Sequence, residues 1–159
     1  MAYQHYDRLT AIDGTFLAIE DPNVHMHVGA VVLFERSPLA RPDGALDVEK
    51  LRNFVEASLH TMPRFRQRFV TVPLVDERVW VDDDRFNLEY HVRHTALPPP
   101  GEIRQLKRLA GRILSQKLDH HKPLWEMWLI EGLAGDRFGM VLKAHHAMVD
   151  GIGGMDLFA

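Results

Sequence analysis

The chain has 159 residues with a formal net charge of -3, 46% hydrophobic and 26% charged residues. That suggests one globular domain with a sizeable core and gives no electrostatic footprint for nucleic acid. With no cysteine there is neither a disulfide framework nor a thiolate zinc site, as suits a reducing cytosol.

The first residues, Met1 to Asp7, lack the basic-then-apolar layout of a signal peptide. No run approaches the roughly twenty apolar residues of a membrane span, so any membrane contact is expected to be peripheral. Leu9, Ile12, Phe16, Leu17 and Ile19 predict a helix ending near Glu20, and Asp21-Pro22-Asn23 a turn. His27 to Glu35 is apolar at both parities, which predicts a central strand. Asp47 is placed to cap a helix from Val48 to about His60, closed by Pro63.

Pro63 to Val70 carries Arg64, Arg66 and Arg68 at the period of a strand with one charged face. Val79-Trp80-Val81 predicts a short strand and Asp82-Asp83-Asp84 a solvated turn. Leu88 to His94 alternates like another strand. Glu102 to Leu118 is the clearest amphipathic helix, with Arg104, Lys107, Arg108 and Arg112 on its polar side. That basic face suits solvent or anionic lipid. Leu124 to Ile130 and Phe138 to Ala144 predict two neighbouring strands joined by a turn at Gly135-Asp136. The expected fold is α+β, a two-layer α/β sandwich of one mixed β-sheet with packed helices.

The last strand runs into His145-His146-Ala147-Met148-Val149-Asp150-Gly151, the pattern HHxxxDG. A neutral imidazole titrates near pH 6.5 and can take a proton from an alcohol or thiol. Asp150 lies four residues beyond His146 and can brace the turn. Gly151 has no Cβ, so substrate can come close. There is no nucleophile to accompany the histidines. The serines Ser37, Ser58 and Ser115 sit in no Gly-x-Ser-x-Gly setting. Direct transfer with a general base fits better than a covalent enzyme intermediate. A purely structural histidine pair, and a metal held by His146 and Asp150 with His25 and His27, are the competing readings of the same residues.

Pro63 to Arg68, Tyr90 to Arg93, Pro123-Leu124-Trp125-Glu126, Trp128 to Leu133 and the HHxxxDG stretch, with Asp13, Phe16 and Met26 to Gly29, resemble the bacterial wax ester synthase/diacylglycerol acyltransferase family nearly end to end. HHxxxDG by itself marks a wider superfamily of CoA-dependent acyltransferases and peptide-synthetase condensation domains. The upstream Pro-Leu-Trp-Glu narrows it. The chain departs from the family at Thr10-Ala11, where Ser-Pro is usual, and at His120, where an arginine is common.

The resemblance implies one half of a chloramphenicol-acetyltransferase-like fold. Residues 1–159 would be the N-terminal acyltransferase domain, with a C-terminal domain absent from this chain. It implies acyl transfer from acyl-CoA to diacylglycerol or a long-chain alcohol, with no cofactor and no metal. His146 would be the general base, His145 its support and Asp150 structural. Gly151 and Trp125 would lie at the substrate, or Trp125 in the core. Pro123 and Leu124 would shape the site. Phe65 to Phe69 resembles the Leu-Arg-x-x-Phe stretch of condensation domains, so Arg66 is expected to pair with Asp150. The implied partners are acyl-CoA, the lipid acceptor, the missing domain and a peripheral membrane or lipid-droplet surface. The implied location is the cytoplasm or the face of the inner membrane or lipid inclusions. A superfamily acyltransferase with another acceptor, and a non-catalytic lipid- or partner-binding half-domain, are the alternatives.

Overall fold

The computed structural model describes residues 6–73 and 75–148. In chain order the elements are β1 (Asp7–Arg8), α1 (Ala11–Ile19), β2 (His27–Glu35), α2 (Val48–Ser58), β3 (Gln67–Val72), β4 (Glu77–Asp82), α3 (Leu88–His91), β5 (Val92–Ala96), α4 (Ile103–Leu114), β6 (Trp125–Leu133) and β7 (Arg137–His145).

Two sheets form where one was expected. The larger has the order β2-β7-β6-β5, and the smaller β1-β4-β3. β5 and β6 are parallel, joined through α4. β6 and β7 are antiparallel and turn at Asp136 and Gly135, both at positive φ. The larger sheet is therefore mixed, and the class is α+β.

Parity sorts the sheet's two faces. Met127, Leu129, Met140, Leu142 and Ala144 share one buried cluster with Val55 and Leu59 from around α2 and Trp80 of the smaller sheet. Ile130 and Val141 point the other way, onto Leu106, Ala110 and Ile113 of α4. Gly139 lets α4 sit close, since a Cβ there would lie 2.8 Å from the Leu106 side chain.

Several elements differ from the sequence reading. β2 is an edge strand: it pairs with β7 along its whole length, and among the described residues its other edge meets no strand. Val28, Val31, Leu33 and Phe34 stay 41–44% exposed. Pro63 to Arg66 is a tight 3-10 turn, because Pro63 presets φ and the Phe65 amide closes onto the Met62 carbonyl. The three arginines consequently part company. Leu88 to His91 is a helical turn capped by the Asn87 side chain, and the strand starts only at Val92. Asp83 is buried rather than solvated, with Arg68 Nε 3.8 Å away. α4 ends at Leu114, four residues before the expected stop.

Candidate functional site

β7 delivers His145 and His146 to the end of the larger sheet. The Pro123–Glu126 segment fixes that end from the neighbouring strand. The His145 amide donates to the Leu124 carbonyl at 2.9 Å, and Leu124 is fully buried. Pro123 is buried too. The Trp125 indole donates to the Phe65 carbonyl at 2.8 Å and its ring stacks on His91. Trp125 is 1% exposed, so it belongs to the core, one of the two roles the sequence left open for it.

Glu126 and Lys143 face each other across β6 and β7 at 3.9 Å. The Lys143 ammonium, with no exposed side-chain surface, donates to the carbonyls of Ile113 and Gln116 at 3.0 and 2.6 Å. It thereby caps the C-terminal end of α4, where the helix dipole favours a cation. Burial still pushes its pKa down, against the pull of Glu126.

His145 is fully buried. Its Nδ1 accepts the Ala147 amide at 3.0 Å, so the proton of the neutral ring must sit on Nε2. Burial drives its pKa down to about 4, against the attraction of Glu20. It is neutral near pH 7 and enclosed. His146 differs. It is half-buried, its amide donates to the Met26 carbonyl at 2.9 Å, and its ring stacks on Phe16. Of the two, only His146 combines a fixed backbone with an accessible imidazole.

Around His145 lies a group of polar side chains that periodicity did not disclose. The Glu20 carboxylate, with no exposed side-chain surface, has Lys117 Nζ at 3.0 Å, His120 Nε2 at 2.6 Å and His145 Nε2 at 3.7 Å. It also accepts the Met26 amide at 3.2 Å. Burial raises the Glu20 pKa, but Lys117, the Met26 amide and the two imidazoles more than offset this, and the net shift is downward. Burial lowers the pKa of His120. His27, opposite His145 in the β2–β7 register, donates from Nε2 to the Leu114 carbonyl at 2.7 Å.

Glu20, His120 and His145 also offer three donor atoms within 4.8 Å of one another, a spacing a metal could use. The His145 tautomer argues against it: with Nδ1 accepting a backbone N–H, Nε2 carries hydrogen rather than a free lone pair. The Lys117 ammonium already supplies the positive charge. Glu20 itself is the extended residue that follows α1, four positions after Phe16.

Arg66 is exposed, its guanidinium over the Phe86 ring at 5.3 Å. Arg64 lies over Trp80 at 4.6 Å and near Asp7 at 3.6 Å. Asp150 and Gly151 lie outside the described residues. The opposite face of α1 borders an open cleft of about 370 Å³ lined by Thr10, Gly14, Ala18 and Arg78, and none of the described histidines lines it.

Against known proteins, the family described as the wax ester synthase/diacylglycerol acyltransferase catalytic domain matches residues 9–159. The chain is 40% identical over 146 residues to the probable diacylglycerol O-acyltransferase tgs3 of Mycobacterium tuberculosis, covering 91% of this chain and 52% of that protein. It is 41% identical over 155 residues to the probable diacylglycerol O-acyltransferase tgs2 of the same species, covering 95% of this chain and 33% of that protein. The structure superposes on the wax ester synthase/diacylglycerol acyltransferase of Marinobacter aquaeolei with a TM-score of 0.79 and 35% identity, over 94% of this chain and 35% of that one. The first condensation domain of the CDA synthetase shares the fold, with a TM-score of 0.67 at 19% identity. The chain thus spans between a third and a half of the length of these relatives.

Proposed function

This chain belongs to the wax ester synthase/diacylglycerol acyltransferase family, and we propose that it serves in transfer of a fatty acyl group from acyl-CoA to the hydroxyl of diacylglycerol or a long-chain alcohol. His146 acts as the general base. It takes the proton of the acceptor hydroxyl as that oxygen attacks the thioester carbonyl. The tetrahedral intermediate then expels the CoA thiolate, and the proton held by His146 passes to the leaving sulfur. The ester and free CoA are the products, and His146 returns to its neutral form.

The observation that carries this reading is the contrast between neighbours: His145 is enclosed and held in one tautomer, while His146 is partly accessible beside it. Asp150 bracing the turn and Gly151 leaving room for substrate complete the proposal. The remaining length of the relatives supplies the other wall of the site.

The test is release of CoA thiol from acyl-CoA, with diacylglycerol and long-chain alcohols as separate acceptors. It is run on this chain and on the chain joined to the remaining portion its relatives possess. Activity on either acceptor that vanishes in His146→Ala supports the reading. Turnover unchanged in His146→Ala removes it.

A second reading, a lipid- or partner-binding unit without turnover of its own, draws on the exposed apolar residues of β2 and the exposed basic side of α4, Arg104, Lys107, Arg108 and Arg112. Among the described residues no helix is long and apolar enough to cross a membrane. This reading takes contact with a lipid surface to be made by these exposed side chains. Binding to anionic vesicles without turnover in the longer form favours it.

A further inference from the structure

We propose that Glu20 is a positioning residue for this site: its buried carboxylate faces the His145 ring on one side and accepts the Met26 amide on the other, and its charge and this bond together set where the His146 imidazole is presented.

Glu20 Oε1 accepts the Met26 N–H at 3.2 Å, and the carbonyl of the same residue accepts the His146 N–H at 2.9 Å. The carboxylate also faces His145 Nε2 at 3.7 Å. At the far side of that ring, Nδ1 accepts the Ala147 N–H at 3.0 Å. So His146 and the residue after it are both linked back to Glu20: His146 through the Met26 peptide, and Ala147 through the His145 imidazole, whose Nε2 faces the carboxylate at 3.7 Å, beyond hydrogen-bond distance. A negative carboxylate favours the His145 tautomer with hydrogen on Nε2, and that tautomer leaves Nδ1 free to accept from Ala147.

Helix α1 contributes twice, since Phe16, four residues before Glu20, stacks on His146. The carboxylate is itself held. It has no exposed side-chain surface, yet Lys117 and His120 stand 3.0 and 2.6 Å from Oε2. A buried charge persists only when paired in this way. A metal on Glu20, His120 and His145 is the rival use of the same atoms, and it requires the opposite His145 tautomer.

The inference rests on the His146 reading only for its effect on turnover. Its structural half is read separately, by NMR of the full polypeptide with ¹⁵N-labelled histidine. In the wild type, His145 should show hydrogen on Nε2 and a bare Nδ1 through neutral pH. Glu20→Gln keeps an oxygen for the Met26 amide but loses the charge. It should give a mixed His145 tautomer and faster exchange of the Ala147 amide. Turnover should fall ~10- to 100-fold in kcat with KM little changed, as expected for a misplaced catalytic group. Lys117→Met, at a partly exposed partner, should move both readouts in the same direction by less. It serves as the test if Glu20→Gln does not fold.

An unaltered His145 tautomer in both variants overturns the proposal. So does stoichiometric zinc binding by the wild type that Glu20→Gln abolishes, which would make this a metal site. A tautomer that shifts while kcat stays unchanged overturns the link from Glu20 to catalysis. If in addition His146→Ala still turns over, the fault lies with the general-base reading.

Discussion

Phe16 lies stacked on His146, ring centroids 4.9 Å apart and planes 21° from parallel. An exposed imidazole at the end of a strand would otherwise sample several rotamers. The flat contact removes that freedom on one side while leaving the ring partly open to solvent. Phe16→Ala should therefore lower kcat ~10-fold or more, because a poorly oriented base loses the advantage of proximity. The fold should remain, since Phe16 is only half-buried. Steady-state kinetics beside a thermal melt checks this, and an unchanged kcat would show that the stacking is incidental.

Exchanging the two histidines separates chemistry from structure. His146→Ala should reduce turnover ~10²–10⁴-fold with little change in the unfolding midpoint. His145→Ala removes a fully buried ring and the acceptor of the Ala147 amide. It should cost roughly 1–3 kcal/mol of stability besides activity. The reverse ranking of the two melts would contradict the assignment.

Acid should destabilise the fold well above the carboxylate range. Burial pushes both His145 and His91 down to about 4 from the ordinary 6.5. The unfolded chain therefore binds protons at these rings before the folded one does. The stability they contribute is complete above pH 6.5 and declines as pH falls from there toward 4. The loss is on the order of 3 kcal/mol for each ring. Urea unfolding at pH 7.5, 6 and 5 reads it directly, and a midpoint that does not move between pH 7 and 5 would refute it.

Lys143→Met should cost stability far from any surface. The substitution keeps an unbranched side chain but strips the donors from the Ile113 and Gln116 carbonyls and leaves Glu126 with one cation fewer. Breaking a buried pair this way costs about 3–5 kcal/mol. Arg93, at 3.4 Å from Glu126, should hold the loss to the lower end. Chemical denaturation measures it.

The exposed apolar side chains of β2 should make the chain associate. Edge strands with unpaired backbone groups and exposed apolar residues recruit further strands. Val31→Lys places a charge at the middle of that edge, where Val31 is 44% exposed. It should shift the chain toward monomer in sedimentation velocity while leaving the melt nearly unchanged. Association unaffected by the substitution would place the sticky surface elsewhere.

What the sequence determined by itself was local and periodic. The stripe Leu106, Ala110 and Ile113 marked α4 because a helix repeats every 3.6 residues. The capping Asp47 marked the start of α2. The apolar runs ending at Ile130 and Ala144 marked β6 and β7, and the turn at Gly135-Asp136 between them left pairing as the simplest connection. The HHxxxDG pattern marked the candidate site because its histidines are adjacent in the chain.

The tertiary structure decided what depends on residues remote in sequence. β2 reads as a central strand because apolar residues at both parities suit any surface that becomes covered, and periodicity does not say what covers it. Arg64, Arg66 and Arg68 share a strand's parity, but Pro63 and the burial of Phe65 against Trp125 turn the chain before that parity applies. Glu20 ends a helix more than a hundred residues before His145. Its role appears only when α1, the Lys117–His120 loop and the end of β7 converge, since no local pattern records which buried charges will meet.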